Sequence, residues 1–306
     1  MSRIEGVSLS TVGVVKAGGR WRYALRALVL LAVARGSAAG QVRVVERHPP
    51  DDPEGRLLAF YSAAVAFSPA AFADGTSRLR FGVELSYVPW LDASQRRPSI
   101  DKPEATNLAP VFPRPRVAFR AGNLLAEASW IPPLAVFDVR ANLLGLSATG
   151  TVTHLGATSL APRVWLTAGR IRGAMTCNED TMLGHGQELQ TYFATVCRGQ
   201  ESDDWFEPRL LGAELVASRD LGAGGVRGYV LAGARYDRTR FDIGVRMPDG
   251  SRDPDHPVLE LRTIRPHFAF GASWRGPAPW GAGLEGFYAP GSLFTARFSA
   301  RYDWRP

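Results

Sequence analysis

The stretch SLFTARFSARYDW, Ser292 to Trp304, alternates almost without a lapse. Phe294, Ala296, Phe298, Ala300, Tyr302 and Trp304 share one parity, and Thr295, Arg297, Ser299, Arg301 and Asp303 share the other. Successive side chains of a strand point to opposite faces, so this segment presents one apolar, aromatic face and one charged face. A soluble sandwich can use such a strand once. Here the two-faced pattern recurs along the chain and the N-terminus carries an export signal. The expectation is an all-β fold: a transmembrane antiparallel β-barrel of about ten strands, ten to twelve, closed by this last strand.

The export signal lies in residues 1–39. Lys16, Arg20, Arg22 and Arg26 form a basic region, Ala27 to Ala34 (ALVLLAVA) is a short apolar core, and Ser37-Ala38-Ala39 is a small-x-small cleavage pattern that places the mature start at Gly40. The rival reading, a membrane anchor, needs about 17 or more apolar residues and this core is too short. The expected organisation is a signal peptide over 1–39, an N-terminal tail and plug over 40–76, and the barrel over 77–306. Removing the signal takes six of the 36 basic and one of the 29 acidic residues, leaving 30 and 28. A near-neutral mature chain gives no reason to expect nucleic acid as a partner. Cys177 and Cys197 are the only cysteines, and export exposes them to an oxidising compartment, so a disulfide is expected.

Along the mature chain, residues 40–56 are polar and proline-broken and read as unstructured. Leu57 to Ala73 (LLAFYSAAVAFSPAAFA) is 17 residues without a charge. Pro69 interrupts it, and it reads as a compact apolar segment packed inside or beneath the barrel. Alternation returns over Ser77–Leu91, in a hairpin of Arg116–Ala121 and Leu124–Trp130, and over Leu134–Ser147 and Arg163–Met175, whose facing the pattern leaves open. It continues through Pro208–Arg219, Gly225–Asp237, Val258–Trp274, Gly281–Tyr288 and the closing strand. The connections 92–110, 176–206 and 239–257 then fall on one side of the barrel and the short turns on the other, an asymmetry usual in outer-membrane barrels. The 148–160 connection is longer than that rule suggests. Trp90, Trp130, Trp274, Trp280, Tyr288, Tyr302 and Trp304 lie near strand ends, where interfacial aromatic girdles belong.

The order of an uncharged Ala-rich segment, then Ser68-Pro69-Ala70, then a strand ending in Tyr87-Val88-Pro89, resembles the start of the FadL-type outer-membrane hydrophobe transporters. The resemblance covers residues 57–90. In that family an Asn-Pro-Ala motif lies in a hatch inside the barrel; this chain has Ser68 in place of the Asn and fewer strands than the family. What the resemblance implies is a plug at Leu57–Ala73, with Ser68, Pro69 and Ala70 as the hatch motif, and passive movement of small hydrophobic molecules across the bacterial outer membrane.

Candidates for chemistry are the charges of inward parity: Arg80, Glu84, Arg120, Glu127, Glu214, Arg227, Arg235, Asp237, Glu285, Arg297 and Arg301, with His267 beside them. Both signs are present, so mutual neutralisation in a narrow lumen is expected rather than an ion-selective ring. Barrel hydrolases use His with Ser or Asp. Of the five histidines, His48, His154 and His185 lie in the tail, loops or turns, His256 lies beside Asp253 and Asp255, and no G-x-S-x-G elbow accompanies any of them. Asp249, Asp253 and Asp255 do not have EF-hand spacing and read as a solvated turn, and Gly222, Gly224 and Gly225 have no helix behind them to bind phosphate. No cofactor, metal or catalytic residue is expected. Expected partners are outer-membrane lipid, a small hydrophobic ligand, and the barrel-assembly machinery through the strand 292–304. The functional expectation is a porin-like passive transporter. The alternatives are a closed structural or surface-interaction barrel acting through its loops, and a barrel hydrolase.

Overall fold

A computed structural model describes residues 44–68, 77–92, 95, 110–133, 135–136, 139–150, 153–178, 190–191, 194–222, 224–253, 256–277 and 279–304. The signal segment and Gly40, Pro69 and Ala70 of the hatch motif, His185 and Asp255 lie outside the described residues. In chain order the elements are β1 (Val45–His48), α1 (Pro53–Ala64), β2 (Leu79–Tyr87), β3 (Val111–Ala121), β4 (Leu124–Ile131), β5 (Ala135–Val136), β6 (Val139–Gly150) and β7 (Thr153–Leu155). They continue with β8 (Thr158–Gly173), β9 (Asp204–Asp220), β10 (Val226–Asp242), β11 (Val258–Arg275), β12 (Trp280–Ala289) and β13 (Leu293–Trp304).

Ten of these strands form a closed antiparallel ring in the order β2-β3-β4-β6-β8-β9-β10-β11-β12-β13. The closing pair runs from Arg297↔Ser86 to Trp304↔Leu79, so the last strand bonds to the first strand of the ring. Closure leaves no free edge, the condition under which a sheet can cross a bilayer. Burial is inverted relative to a water-soluble protein. Phe294 and Phe298 are 54% and 47% exposed, while Arg297 and Arg301 beside them are each 2% exposed. Only a lipid environment makes that arrangement favourable, because apolar side chains then meet acyl chains and the charges are sequestered inside. Among the described residues no helix is long and apolar enough to cross a membrane; the strands do so.

The outward aromatics form two tiers. Trp274, Trp280 and Trp304 lie at the short-turn end, and Trp90, Trp130 and Tyr288 at the other. Trp280 and Tyr288 are eight residues apart on β12, about 26 Å along the strand and about 20 Å along the barrel axis at the usual tilt, so the two tiers bracket an apolar band of the order that such barrels present.

The structure corrects some sequence readings and completes others. Residues 40–56 are not wholly unstructured. Val45–His48 pairs in parallel with Val258–Leu261, because β12 bonds β11 only from Phe268 to Arg275 and leaves that edge of β11 open. The helix begins at Pro53, where the fixed φ of proline suits the first turn. β3 begins at Val111 rather than Arg116. The even residues of β3 bond β2, as Val88 N–H to Pro110 O and Arg120 N–H to Arg78 O show. The missing N–H groups of Pro113 and Pro115 therefore face the β4 side, where pairing stops at Arg116↔Ser129. On β6, Ala141 and Leu143 face inward and Leu144 outward; on β8, Trp165 is buried and Val164 and Leu166 face outward. The long 148–160 connection is accounted for by β7, which folds back on β8 from Thr153↔Leu160 to Leu155↔Thr158. Cys177 and Cys197 form a disulfide in the connection between β8 and β9.

Candidate functional site

The barrel interior is occupied. Helix α1 carries Leu57, Leu58, Ala59, Phe60, Ala63 and Ala64, all buried, and Ser62 Oγ lies 2.7 Å from Thr239 Oγ1 on the inner face of β10. A helix apolar on nearly every side needs enclosure. Gly55 is required at its start: a Cβ there would lie 1.9 Å from Pro49 O.

The C-terminal end of α1 is held by four barrel arginines. Arg297 donates to Ala63 O at 3.4 Å, Arg114 to Val65 O at 2.8 Å and Ala66 O at 3.2 Å, Arg163 to Phe67 O at 3.0 Å, and Arg116 to Ser68 O at 2.7 Å. Ala63 lies in the last turn of α1 and Val65 is its cap, while residues 66–68 run on beyond it, so the guanidinium groups face the helix's negative pole and satisfy buried carbonyls that follow it. The Phe67 ring sits among them, with the Arg116, Arg163 and Arg114 guanidinium carbons 4.5, 5.2 and 5.3 Å from its centroid.

The same arginines bind the inward carboxylates. Arg116 pairs with Glu84 and with Glu127, the latter at 3.0 Å, and Ser147 donates to Glu127 at 2.8 Å. Arg163 pairs with Glu214 at 2.8 Å, and His267 Nε2 lies 2.8 Å from the same carboxylate, which also accepts from the Trp165 indole. His267 is packed between Trp165 and Phe287, at ring separations of 5.9 and 5.7 Å. Arg80 pairs with Asp303 at 2.9 Å and Arg235 with Asp237 at 2.9 Å. Arg297 approaches Glu285 at 3.6 Å, and Glu285 accepts from Tyr229 at 2.7 Å and from Ser68. Arg301 is buried on β13.

The candidate residues thus divide. Glu84, Glu127, Glu214, His267, Glu285 and Arg297 belong to one network with the plug. Arg80 and Arg301 are buried on β2 and β13, and Arg235–Asp237 is a separate pair. Arg120 and Arg227 sit at the short-turn rim, where Arg227 pairs with Asp220 at 2.9 Å. Arg114 and Arg163 were not among the sequence candidates. Extending the alternation of β3 back through its prolines would have found the first, and resolving the parity of β8 the second. Asp253 is not in a solvated turn: it is buried and pairs with Arg198 at 2.7 Å. Among the described residues no cluster of His, Cys, Asp and Glu is arranged to hold a metal.

On the lipid-facing wall, β9 to β13 enclose an apolar cleft of about 690 Å³. Its outward lining includes Ala217, Val230, Phe270, Ala272, Leu284, Phe294 and Ala296, and it reaches Tyr229, Gly271 and Glu285 of the inward parity. Small outward residues open the wall there, and its floor is the Tyr229–Glu285–Ser68 chain that ends on the plug.

No protein-family model matches this chain, and no curated protein matches it. Solved structures do. The Yersinia pestis outer-membrane protein Ail is 9% identical with a TM-score of 0.28, over 75% of this chain and all of the other. The Pseudomonas putida toluene transporter TodX is 9% identical with a TM-score of 0.30, over 87% of this chain and 78% of that one. OmpTdeltaL8, a loop-deletion mutant of an outer-membrane protein of Vibrio cholerae, is 10% identical with a TM-score of 0.27, over 63% of this chain; the chain spans only 54% of its length. The barrel rests on the hydrogen-bonded ring of ten strands and not on these likenesses, which at such TM-scores say nothing about function.

Proposed function

We propose that this protein resides in a bacterial outer membrane and lets small hydrophobic molecules cross it passively, as the FadL-type resemblance at residues 57–90 implies. The observation that carries the reading is the apolar cleft in the wall, whose floor is hydrogen-bonded through Tyr229 and Glu285 to Ser68 of the plug. A cleft of about 690 Å³ falls within the size range of small-molecule sites and is lined mainly by apolar groups with a few convergent polar ones. The filled lumen disfavours an open ion pore, so the compound meets the protein from the apolar phase, at the cleft that Tyr229 and Glu285 line from within. No chemical step is assigned to the protein. Its partners on this reading are lipid, the hydrophobic compound and, through the strand 292–304, the assembly machinery.

The test is uptake of toluene or a medium-chain alkyl probe into proteoliposomes carrying wild type or the Ala272→Phe/Ala296→Phe variant. Both substitutions point to lipid and fill the cleft, so folding, checked by heat-modifiable electrophoretic migration, is expected to hold. Uptake is expected to fall to the protein-free rate in the variant. Equal uptake in both would reject the cleft as the route, and wild-type uptake no faster than protein-free vesicles would reject transport. The second result would favour a closed barrel working through its loops, a reading that the filled lumen independently supports.

A further inference from the structure

The rim at the long-connection end is not uniform. On β12, β13, β2 and β4 the outward side chains near that end are aromatic: Tyr288, Phe294, Tyr87 and Trp130. On β9, β10 and β11 one outward row there is all arginine, Arg209, Arg238 and Arg262, with Glu207, Arg240 and Glu260 one step further out. Register sets the three arginines of that row side by side, as Arg209↔Arg238 and Arg238↔Arg262 are direct cross-strand partners. Like charges directly opposed destabilise a sheet.

The carboxylates nearby do not neutralise them. Glu260 is shared by Arg262 at 2.6 Å, Arg240 at 2.7 Å, Arg47 at 3.3 Å and Arg238 at 3.7 Å. Arg209 has no ion-pair partner among the described residues. Glu207, opposite Arg240, is paired with Arg170, so two carboxylates stand among six guanidinium groups and positive charge is in excess.

Position along the strands gives that excess a meaning. The next outward residue on each strand is Leu211, Tyr236 and Ile264, and Ile264 is 72% exposed. Outward positions recur every two residues, about 7 Å, so the arginine row lies one step above the apolar band on all three strands. That is the level at which the phosphates of a bilayer leaflet lie over its acyl chains. Guanidinium groups bind phosphate oxygens in bidentate fashion and are less strongly hydrated than ammonium groups.

We propose that the Arg209–Arg238–Arg262 row is a binding site for a membrane lipid whose headgroup carries more than one phosphate, with its acyl chains lying along Leu211, Tyr236 and Ile264. The phosphates provide the counter-charge that the row lacks, and the bound lipid covers the tall wall formed by β9, β10 and β11. The site is independent of the cleft and of transport.

The experiment places the full chain in phosphatidylcholine nanodiscs doped with bisphosphorylated lipid A and measures retained lipid by native mass spectrometry. Wild type is expected to retain lipid A in preference to phosphatidylcholine. Each arginine close to an anionic surface adds about fivefold, so R209Q/R238Q/R262Q should lose about a hundredfold in affinity. Should that variant not fold, Arg209→Gln alone, which breaks no ion pair, should show the single step of about fivefold. R275Q, at the opposite rim, should retain lipid A as wild type does. The proposal fails if the triple or the single variant binds as wild type does, or if the two lipids are retained alike. It also fails if inorganic phosphate displaces lipid A at matched concentration, which would make the row a simple anion site.

Discussion

Arg116 is where the barrel and its plug are joined, and replacing it with Met isolates that connection. The side chain is fully buried, pairs with Glu84 and with Glu127 at 3.0 Å, donates to Ser68 O at 2.7 Å, and stands 4.5 Å over the Phe67 ring. Methionine keeps most of the volume and loses every polar contact. Two carboxylates then remain buried without their main cation. Removing one partner of a buried ion pair costs about 3–5 kcal/mol, more than the about 0–1 kcal/mol of an exposed pair. The contacts share one side chain and do not add, so the expected loss is about 3–5 kcal/mol for the whole replacement. Urea unfolding in detergent micelles, followed by electrophoretic migration, measures it; hydrogen exchange at Val65, Ala66 and Phe67 reports whether the plug loosens. Adding Glu84→Gln and Glu127→Gln should recover most of the loss, because neutral amides need no cation. A change in R116M below about 1 kcal/mol would mean that water reaches the network and that it is not what holds the plug.

Three further outcomes are expected. Gly212→Val should destabilise the barrel by about 1–3 kcal/mol or more, because a Cβ there would lie 2.1 Å from the Trp165 indole; the near-UV circular dichroism of the folded variant should change as that ring is displaced. In the connection before β9, the hydrogen bond from Arg172, at 2.7 Å, holds the Asp203 carboxyl below its ordinary value of 3.8, outweighing its partial burial. A depressed folded value means the pairing contributes fully above the ordinary carboxylate range and is lost as pH falls below it, so amide protection around Asp203, taken relative to the intrinsic exchange rate at each pH, should fall in acid and be flat from neutral pH upward. Serine in place of both Cys177 and Cys197 should leave the ring intact and sensitise the 174–203 connection to limited proteolysis, since the loop-entropy model assigns about 3 kcal/mol to so short a closure.

Alternation in the sequence was enough to determine a two-faced wall of ten to twelve strands and which of them closes it; the ring has ten. Period 2 is a local property, and in β13 it separates Phe294 and Phe298 from Arg297 and Arg301 without reference to any other strand. The disulfide was expected from one cysteine pair in a chain read as exported, and Cys177 and Cys197 form it. Where a strand carried prolines, as at Pro113 and Pro115, the sequence could not say that the missing N–H groups would fall on an unpaired side, because that depends on where β4 ends. Nor could it settle β8, whose buried Trp165 looks like an outward residue until Gly212 is seen beneath it and Glu214 accepts its N–H.

The largest difference concerns the inward charges. Read along the chain they are arginines and carboxylates of opposite sign, to be paired with one another. In the folded molecule Arg114, Arg116, Arg163 and Arg297 also bind the carbonyls of residues 63–68, contacts spanning from 48 to 234 positions in sequence. Alternation therefore determined by itself which side chains turn away from lipid, while only ring closure around the helix decided what they meet there. The direction of a side chain is set by its own residue's backbone, and its partner by the registers of all ten strands.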